Sequence, residues 1–328
     1  MKPRLDIQFP LKRQWRYWFG KQYGPREGEY LLNHARTGIV MALRATLPNG
    51  GRVGVMTYNC HTVANAVVNA GCMPFFVDVT DDLRIDVSSI PADLDAIVVT
   101  NLFGIRNDIA VIRKRLPKAI IIVDNAHGYG LPAEGDFTVY SINQGKFPAL
   151  GEGGLLYAIE DFRFKIDDLY KALPSYGFVA QVKLFAQMMV KAIAYSRCMY
   201  WLTMKLKKSA NPDVHETVSM KRMAPGIRRL YKAWLPTADE AIAAQRANAA
   251  KIADMGYETI KSDTGFMAII RTNDVAAAKA DFAKRGIETE THFARCIDWA
   301  TEFGYQPGSC PNAEKLVHQL LMIPTYCN

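Results

Sequence analysis

The stretch that decides the fold runs from Ala119 to Gly154. It comprises Ile120-Ile121-Ile122-Val123-Asp124, then Asn125-Ala126-His127-Gly128, then Ser141-Ile142-Asn143-Gln144-Gly145-Lys146, and finally Gly151-Glu152-Gly153-Gly154. The unbroken β-branched run before Asp124 is typical of a parallel strand that is covered on both faces. Ligands of open α/β sheets bind at the carboxyl ends of such strands. The sequence therefore predicts that Asp124 and the later Lys146 reach one crevice.

These segments resemble the fold-type-I pyridoxal-phosphate enzymes, and among them the DegT/DnrJ/EryC1/StrS sugar aminotransferases. In that family a strand ends in Asp-x-x-Gln/His, and Ser-x-x-x-x-Lys and a glycine-rich turn follow. Asp124 and His127 keep the first spacing, while Ser141 and Lys146 keep the second. The resemblance covers about residues 31–325 and is interrupted by an insertion.

The resemblance implies pyridoxal 5'-phosphate as the cofactor, held by Lys146 in a Schiff base. Asp124 would keep the pyridine nitrogen protonated, which makes the ring an electron sink. His127 would contact the ring or its phenolic oxygen, and Ser141 would bind the phosphate. Taken singly, an aspartate after a strand is often only a turn residue and a lysine is most often solvated. The combination favours a cofactor site.

A second match precedes these motifs at Ala35-Arg36-Thr37-Gly38, which resembles the Ser-Gly-Thr-Ala opening of a helix in the family. Thr37 and Gly38 would then bind the cofactor phosphate at a helix N-terminus. A plain N-cap role for Thr37 is equally compatible with the sequence. Arg36 stands where the family usually has glycine, and we expect it to add charge near the phosphate or the substrate.

Other positions depart from the family pattern or are weaker candidates. Cys60 occupies a position that in many members is an aromatic residue stacked on the cofactor ring, and the adjacent His61 is a candidate substitute. Met220 replaces an asparagine that in the family reaches the partner subunit's cofactor phosphate, whereas Arg222 keeps its motif position. His292, in a Gly-Ile-x-Thr-x-x-His run, is a candidate near the substrate.

Strands that alternate with helices along the chain predict an α/β fold with a mostly parallel sheet and right-handed crossovers. By resemblance this is the fold-type-I aminotransferase fold, with a seven-stranded-type sheet sandwiched by helices and a smaller C-terminal α/β domain. We expect an N-terminal segment over 1–30, a large cofactor-binding domain over 31–215 and a small domain over 216–328. The large domain includes a basic and apolar helical insert at about 173–212.

The insert is unusual because it combines apolar residues with cations of one sign. No Asp or Glu occurs between Asp168 and Asp213. Its cations are Lys171, Lys183, Lys191, Arg197, Lys205, Lys207 and Lys208. Internal cations disfavour a membrane-spanning helix. Residues 178–208 therefore predict either a helix on the surface of an anionic membrane or a helix buried in the protein or in a subunit interface. Residues 12–21, which mix cations with aromatic residues, leave membrane contact or packing on the main domain open.

Composition narrows the possible partners. The formal net charge of +8 favours anionic ligands, but no zinc-finger, basic-helix or RNA-binding pattern accompanies it, so nucleic acid is not expected. The six cysteines are dispersed without CxxC pairs, which indicates a reduced, cytoplasmic protein without a cysteine metal site. The N-terminal residues do not form a secretory signal pattern.

By resemblance we expect a homodimeric, cytoplasmic aminotransferase, with peripheral contact at the inner face of the membrane as an open possibility. It would move an amino group from an amino acid, with glutamate as the expected donor, to a nucleotide- or lipid-linked keto-sugar in cell-surface polysaccharide or natural-product biosynthesis. Two alternatives stay open. A pyridoxal-phosphate sugar dehydratase would carry histidine in place of Lys146. A non-catalytic membrane- or partner-binding protein on a degenerate aminotransferase fold would account for Cys60, Met220 and the insert.

Overall fold

A seven-stranded sheet forms the centre of the computed structural model, which describes residues 14–194, 199, 202–203, 205 and 213–325. Its strands are β1 Glu29–Leu32, β2 Arg52–Met56, β3 Met73–Val77, β4 Ala96–Thr100, β5 Ile120–Asn125, β6 Phe137–Ser141 and β7 Gly154–Ala158. They lie in the order β1-β7-β6-β5-β4-β2-β3. The four neighbouring pairs β3–β2, β2–β4, β4–β5 and β5–β6 are parallel. At the other edge of the sheet, β7 pairs antiparallel with β6, and β1 pairs antiparallel with β7. The predicted mostly parallel sheet is confirmed.

Helices cover both faces of this sheet and continue into the C-terminal part. They are α1 Ala35–Thr46, α2 His61–Asn69, α3 Ile109–Arg115, α4 Glu160–Ala172, α5 Phe178–Ala194, α6 Pro225–Trp234, α7 Ala238–Ala253, α8 Val275–Lys284, α9 Cys296–Thr301 and α10 Pro311–Leu316. Strand β5 shows why its sequence is continuously apolar. Ile121 and Val123 point into one hydrophobic cluster, while Ile122 points into another that also contains α1 and α2. A strand buried on both faces has no position for a polar residue until its last two residues, Asp124 and Asn125.

A second, antiparallel sheet of three strands lies in the C-terminal part. Its strands β8 Thr259–Ile260, β9 Met267–Arg271 and β10 Leu320–Pro324 are arranged in the order β10-β9-β8. Met267 and Met322 of this sheet belong to the same hydrophobic cluster as Ile121 and Val123 of the large sheet. The small C-terminal α/β unit is thus present, while the boundary at residue 216 stays a prediction.

The N-terminal segment begins its described part with a 3₁₀ turn at Gln14–Phe19 and leads into β1, which starts at Glu29. Trp18 is buried, and its ring lies so close to Gly226 that a Cβ there would clash with it. The segment therefore packs on α6, and it runs directly into a strand of the large sheet.

Helix α5 represents the first half of the predicted insert. Its buried side consists of Leu184, Met188 and Ala192, whereas several of its other apolar side chains are exposed. Residues 195–198, 200–201, 204 and 206–212 of the insert lie outside the described residues. None of the helices in the described part of the chain is both long and apolar enough to cross a bilayer.

Candidate active site

A cavity of about 230 Å³ opens at the carboxyl ends of the parallel strands. Its walls include strand-end residues, the starts of α1 and α2 and the loop after β6. Among the residues that line it are His34, Arg36, Asn59, Cys60, Thr100, Asp124, His127, Ser141, Asn143, Lys146 and Phe293. The structure thus brings the predicted amine and carboxylate into one cavity, where the sheet topology places ligands.

Asp124 forms the buried acidic side of the cavity. One of its oxygens accepts a hydrogen bond from the Ala126 amide at 2.9 Å, and the other accepts one from the Thr100 hydroxyl at 3.3 Å. Thr100 is the register partner of Asp124 across β4 and β5. Burial raises the pKa of Asp124, and the Ala126 amide, the charge of Lys146 and the Thr100 hydroxyl oppose that shift. A cationic ligand group beside Asp124 would therefore favour its ionised form.

Lys146 is positioned by a tight loop that follows β6. The Ile142 amide donates to the Gly153 carbonyl at 3.0 Å, and the Lys146 amide donates to the Asn143 carbonyl at 3.1 Å. Gly145 adopts a φ of +80°, in the left-handed region that glycine enters without strain. The loop thereby turns Lys146 back over the sheet edge, where its Nζ lies 2.7 Å from His127 Nε2.

His127 lies between aromatic rings, and a backbone amide contacts one of its ring nitrogens. Its ring stacks on Phe266 and Phe103, with centroids 4.8 Å and 5.3 Å away, and lies nearly parallel to Phe293 at 5.8 Å. The Phe103 amide donates to His127 Nδ1 at 3.2 Å. Burial lowers the pKa of His127 well below its usual value, and nearby Lys146 and His292 lower it further.

These contacts determine how His127 and Lys146 share a proton. A neutral imidazole carries one hydrogen, and because Nδ1 accepts the Phe103 amide, that hydrogen resides on Nε2. Nε2–H therefore donates to the lone pair of Lys146 Nζ. This hydrogen bond favours the neutral amine of Lys146, the form in which a lysine is a nucleophile, whereas its protonated form is the one that lowers the pKa of Asp124 and of His127.

The start of α1 forms a third wall of the cavity. His34 is the N-cap residue, and its Nδ1 lies 3.1 Å from the Asn143 amide nitrogen. Burial lowers the pKa of His34 to about 4, with a further contribution from the charge of Arg36. Arg36 lines the cavity and forms an ion pair with Glu216. This wall thus combines a neutral histidine, a cation and a helix N-terminus, which together favour an anionic ligand group.

The N-cap role suggested for Thr37 is wrong, and Thr37 and Gly38 line no part of this cavity. Helix α1 begins at Ala35, so Thr37 lies within its first turn, where its buried hydroxyl donates to Asn33 at 2.9 Å. Gly38 faces the sheet, and a Cβ there would lie 2.8 Å from Val139 Cγ1. The absence of a side chain at Gly38 thus allows α1 to approach β6 closely.

His61 and Arg222 lie outside the cavity as well, which corrects the expectation that they contact substrate there. The His61 ring packs edge-on against Trp299 at 4.9 Å, behind the cavity wall. Arg222 donates to the backbone carbonyls of Tyr170 and Lys171, at 3.2 Å and 2.6 Å. Both side chains are therefore engaged in structural contacts of the described chain.

Cys60 and His292 lie at or beside the cavity. Cys60 lines it at the start of α2; burial raises the pKa of its thiol, but His61, Lys146 and Thr62 together lower that pKa to about 7. His292 accepts or donates a hydrogen bond with Glu290 at 2.9 Å, and its ring lies edge-on to His127 at 5.6 Å. His292 thus contacts the His127 ring, which in turn lies beside the Lys146 amine.

Sequence reasoning missed several cavity residues. Thr100 is the last residue of the apolar strand β4 and Asn59 follows β2, so the same strand-end rule that located Asp124 would have located them. His34 and Asn143 are brought together from separate loops, and the sequence contains no local signal for that pair. Phe266 reaches His127 from the C-terminal sheet, a contact that only the tertiary fold defines.

The DegT/DnrJ/EryC1/StrS aminotransferase family model matches residues 31–328 of the chain. Among curated protein sequences, none matches it.

Solved structures share the fold at low sequence identity. A putative sugar aminotransferase, Spr1654, from Streptococcus pneumoniae in its PMP form has a TM-score of 0.72 and 14% identity, covering 99% of this chain and 93% of that one. DesV from S. venezuelae, in complex with a ketimine intermediate, has a TM-score of 0.68 and 19% identity, with coverage of 94% and 86%. A DegT DnrJ EryC1 StrS aminotransferase from Brucella abortus has a TM-score of 0.68 and 18% identity, with coverage of 91% and 80%.

Proposed function

Since the chain belongs to the DegT/DnrJ/EryC1/StrS aminotransferase family, we propose that it transfers an amino group from glutamate to a keto-sugar carried by a nucleotide diphosphate or a lipid. Membership confirms the predicted class of enzyme, and the sheet confirms the predicted fold. The proposed pathway is cell-surface polysaccharide or natural-product biosynthesis. The observation that supports this proposal most directly is that the Lys146 amine, 2.7 Å from His127 Nε2, shares one cavity with the buried Asp124 carboxylate.

The residues present fit pyridoxal 5'-phosphate. The cofactor has an aldehyde, a basic ring nitrogen and a phosphate, and the cavity offers an amine, a buried carboxylate and a cationic helix start to match them. The raised pKa of Asp124 is further support, because a buried carboxylate of this kind is stabilised by a protonated ring nitrogen. When bound, the cofactor would supply an electron sink for negative charge that develops at the amino-bearing carbon of the substrate.

The proposed roles of the chain's own residues follow from their contacts. Lys146 binds the cofactor aldehyde and, as a free amine, moves protons to and from the substrate. His127 holds its hydrogen on Nε2 and keeps the Lys146 lone pair available. Asp124 holds the ring nitrogen protonated. Cys60 lies where the ring would be covered, although a thiol stacks less strongly than an aromatic side chain.

The phosphate end of the proposed site differs from the sequence-based expectation. Ala35 and Arg36 at the start of α1 line the cavity, together with Ser141 at the end of β6. We assign phosphate binding to these groups and the Arg36 guanidinium, in place of the Thr37 hydroxyl. His292 remains a candidate for substrate contact.

A cytoplasmic homodimer is also part of the proposal and rests on the family resemblance. In this chain Met220 packs against the cluster around α1, and its sulfur lies 3.6 Å from an Arg44 nitrogen. It offers no amide to a neighbouring cofactor phosphate. Arg36, which belongs to the same subunit as the cavity, would contact the phosphate in place of that amide. Light scattering at micromolar concentration tests the dimer directly.

Cofactor capture tests the function. Purified protein mixed with pyridoxal phosphate should develop a visible absorbance band, and borohydride should fix the added mass on the peptide that contains Lys146. Glutamate should bleach the band, and amino-donor screening followed by mass analysis of sugar products would identify the substrates. Lys146→Arg, which keeps a long basic side chain but has no amine that can form a Schiff base, is the matched control and should capture none.

The same experiment decides between the alternatives. A non-catalytic binding protein gives no band, and reduction at another lysine would refute the role of Lys146. The dehydratase alternative is not favoured, because Lys146 is present at the motif position and its amine reaches the cavity.

A further inference from the structure

Helix α5 carries an exposed apolar stripe. Val179, Val182, Val190 and Ile193 follow one another at helical spacing, and their side chains are 79%, 50%, 65% and 53% exposed. The opposite side of the helix packs on the protein through Leu184, Met188 and Ala192. A surface helix of a globular protein normally has polar residues on its outer face. The stripe therefore indicates a surface that contacts something apolar.

Cations run alongside this stripe. Lys183 and Lys191 are exposed and lie two helical turns apart, with the polar Gln187 between them. No acidic residue occurs from position 169 to position 212 of the sequence, where seven lysines and arginines occur. Outside this stretch, burial raises the pKa of the Glu152 carboxyl group, and Lys191 is close enough for its charge to lower that pKa. An apolar stripe bordered by cations, on a helix that carries no acid of its own, is the arrangement of helices that lie in a membrane interface.

The N-terminal aromatic segment joins the same surface. Trp18 packs against Phe185 of α5, with ring centroids 5.0 Å apart. Tyr17 and Phe19, on either side of Trp18, are 45% and 75% exposed. Two stretches that are remote in sequence thus meet through Trp18 and Phe185, and each of them carries exposed apolar side chains. We call this surface, formed by the α5 stripe, its two lysines, Tyr17 and Phe19, the α5 surface.

We propose that the α5 surface binds the face of an anionic lipid bilayer. Its charge is complementary to phosphate headgroups, and its exposed aromatic and aliphatic side chains match the headgroup and acyl boundary. A second copy of the chain is a poorer occupant. A twofold dimer brings the same patch of both subunits together, so the lysines of one α5 surface would share the interface with the identical lysines of the other.

The α5 surface is already formed in the folded protein without a membrane. Met188, on the buried side of α5, lies against the Gly151 turn, where a Cβ on the glycine would approach it to 2.7 Å. Because α5 is held by the protein core, binding a bilayer requires no helix to fold. None of the side chains of the α5 surface lines the cavity around Lys146. The proposal is therefore independent of the proposed reaction.

Vesicle binding by the full chain tests the proposal. The assay is flotation with phosphatidylcholine vesicles that contain about 30% of the anionic lipid phosphatidylglycerol, which gives them a negative surface potential like that of cytoplasmic leaflets. These vesicles should carry the protein upward, and vesicles of pure phosphatidylcholine should not. Lys183→Gln/Lys191→Gln should lower the partition coefficient roughly 25-fold, because each cation near such a surface contributes about five-fold. Val182→Ser/Val190→Ser should lower it at least about ten-fold through lost apolar burial.

The matched control is Lys251→Gln/Lys284→Gln, which removes the same charge from exposed positions on α7 and α8. It should bind vesicles within about two-fold of the unaltered protein, as expected for cations distant from the membrane. Equal losses in both lysine pairs would show that net charge alone drives binding and would overturn the proposal. So would absence of flotation with anionic vesicles. A subunit interface is the conclusion if the valine variant dissociates an oligomer without changing flotation, and that result also overturns the proposal.

Discussion

Replacing His127 with phenylalanine separates the shape of this residue from its hydrogen bonds. A phenyl ring can occupy the space between Phe103 and Phe266, but it offers no acceptor to the Phe103 amide and no donor to Lys146. A buried amide left without its acceptor costs about 1–3 kcal/mol. We therefore expect His127→Phe to lose about that much free energy of unfolding, measured by urea denaturation.

The same substitution should also slow cofactor capture. If the His127 hydrogen bond stabilises the neutral amine by about 1 kcal/mol, its loss reduces the neutral fraction of Lys146 roughly five-fold. The second-order rate of pyridoxal phosphate capture at pH 7, followed by stopped-flow absorbance, should fall by the same factor. His127→Gln can still donate and accept, so it should recover most of the rate.

A control separates this effect from general disturbance near the site. His61→Phe changes a nearby histidine whose ring packs on Trp299 and whose Nδ1 lies 3.9 Å from Cys60 Sγ, and which lines no part of the cavity around Lys146. It should capture the cofactor at an unchanged rate. If His127→Phe captures as fast as the unaltered protein, or if His127→Gln is as slow as His127→Phe, the inferred proton arrangement between His127 and Lys146 is refuted.

Three further predictions follow from individual contacts. Burial lowers the pKa of His34 to about 4, so between about pH 6.5 and pH 4 the unfolded chain binds a proton that the folded protein does not. The free energy of unfolding should therefore decrease as the pH is lowered through this range. His34→Asn should lack this loss of about 1.4 kcal/mol per pH unit in urea titrations. Gly38→Ala should destabilise the protein by up to about 2 kcal/mol in thermal melts, since overpacking against Val139 exceeds the gain in helix propensity. Iodoacetamide should label Cys60 with a midpoint near pH 7, read by peptide mass mapping, and pyridoxal phosphate should block it; labelling that ignores the cofactor would place Cys60 outside the site.

The central motif could be predicted because its signal is local. The β-branched run of β5 requires burial on both faces. A strand buried in that way places an acid near its carboxyl end at the ligand-binding end of the sheet, where Asp124 lies. The spacing from Ser141 to Lys146 is long enough for the turn that brings the amine back to the same edge. Fold class and the core of the cavity therefore follow from residues 119–154.

The errors arose where tertiary structure decides between neighbouring positions. Helix α1 begins two residues before Thr37, and that shift turns Thr37 and Gly38 away from the cavity and toward the sheet. His61 follows a cavity residue in sequence, yet the first turn of α2 directs its ring to Trp299. Arg222 matches a family motif, but its partners are carbonyls at the end of α4. No spacing rule distinguishes these orientations.

The hydrophobic cluster that joins the two sheets bears on how the chain can be divided. Ile121 and Val123 of β5 share that cluster with Phe266 and Met322. Cutting the chain near residue 215 would strip one side of this shared interior and leave those strand residues facing water. Unfolding should consequently proceed as a single transition for both sheets, and a fragment that ends before the C-terminal sheet should aggregate during refolding.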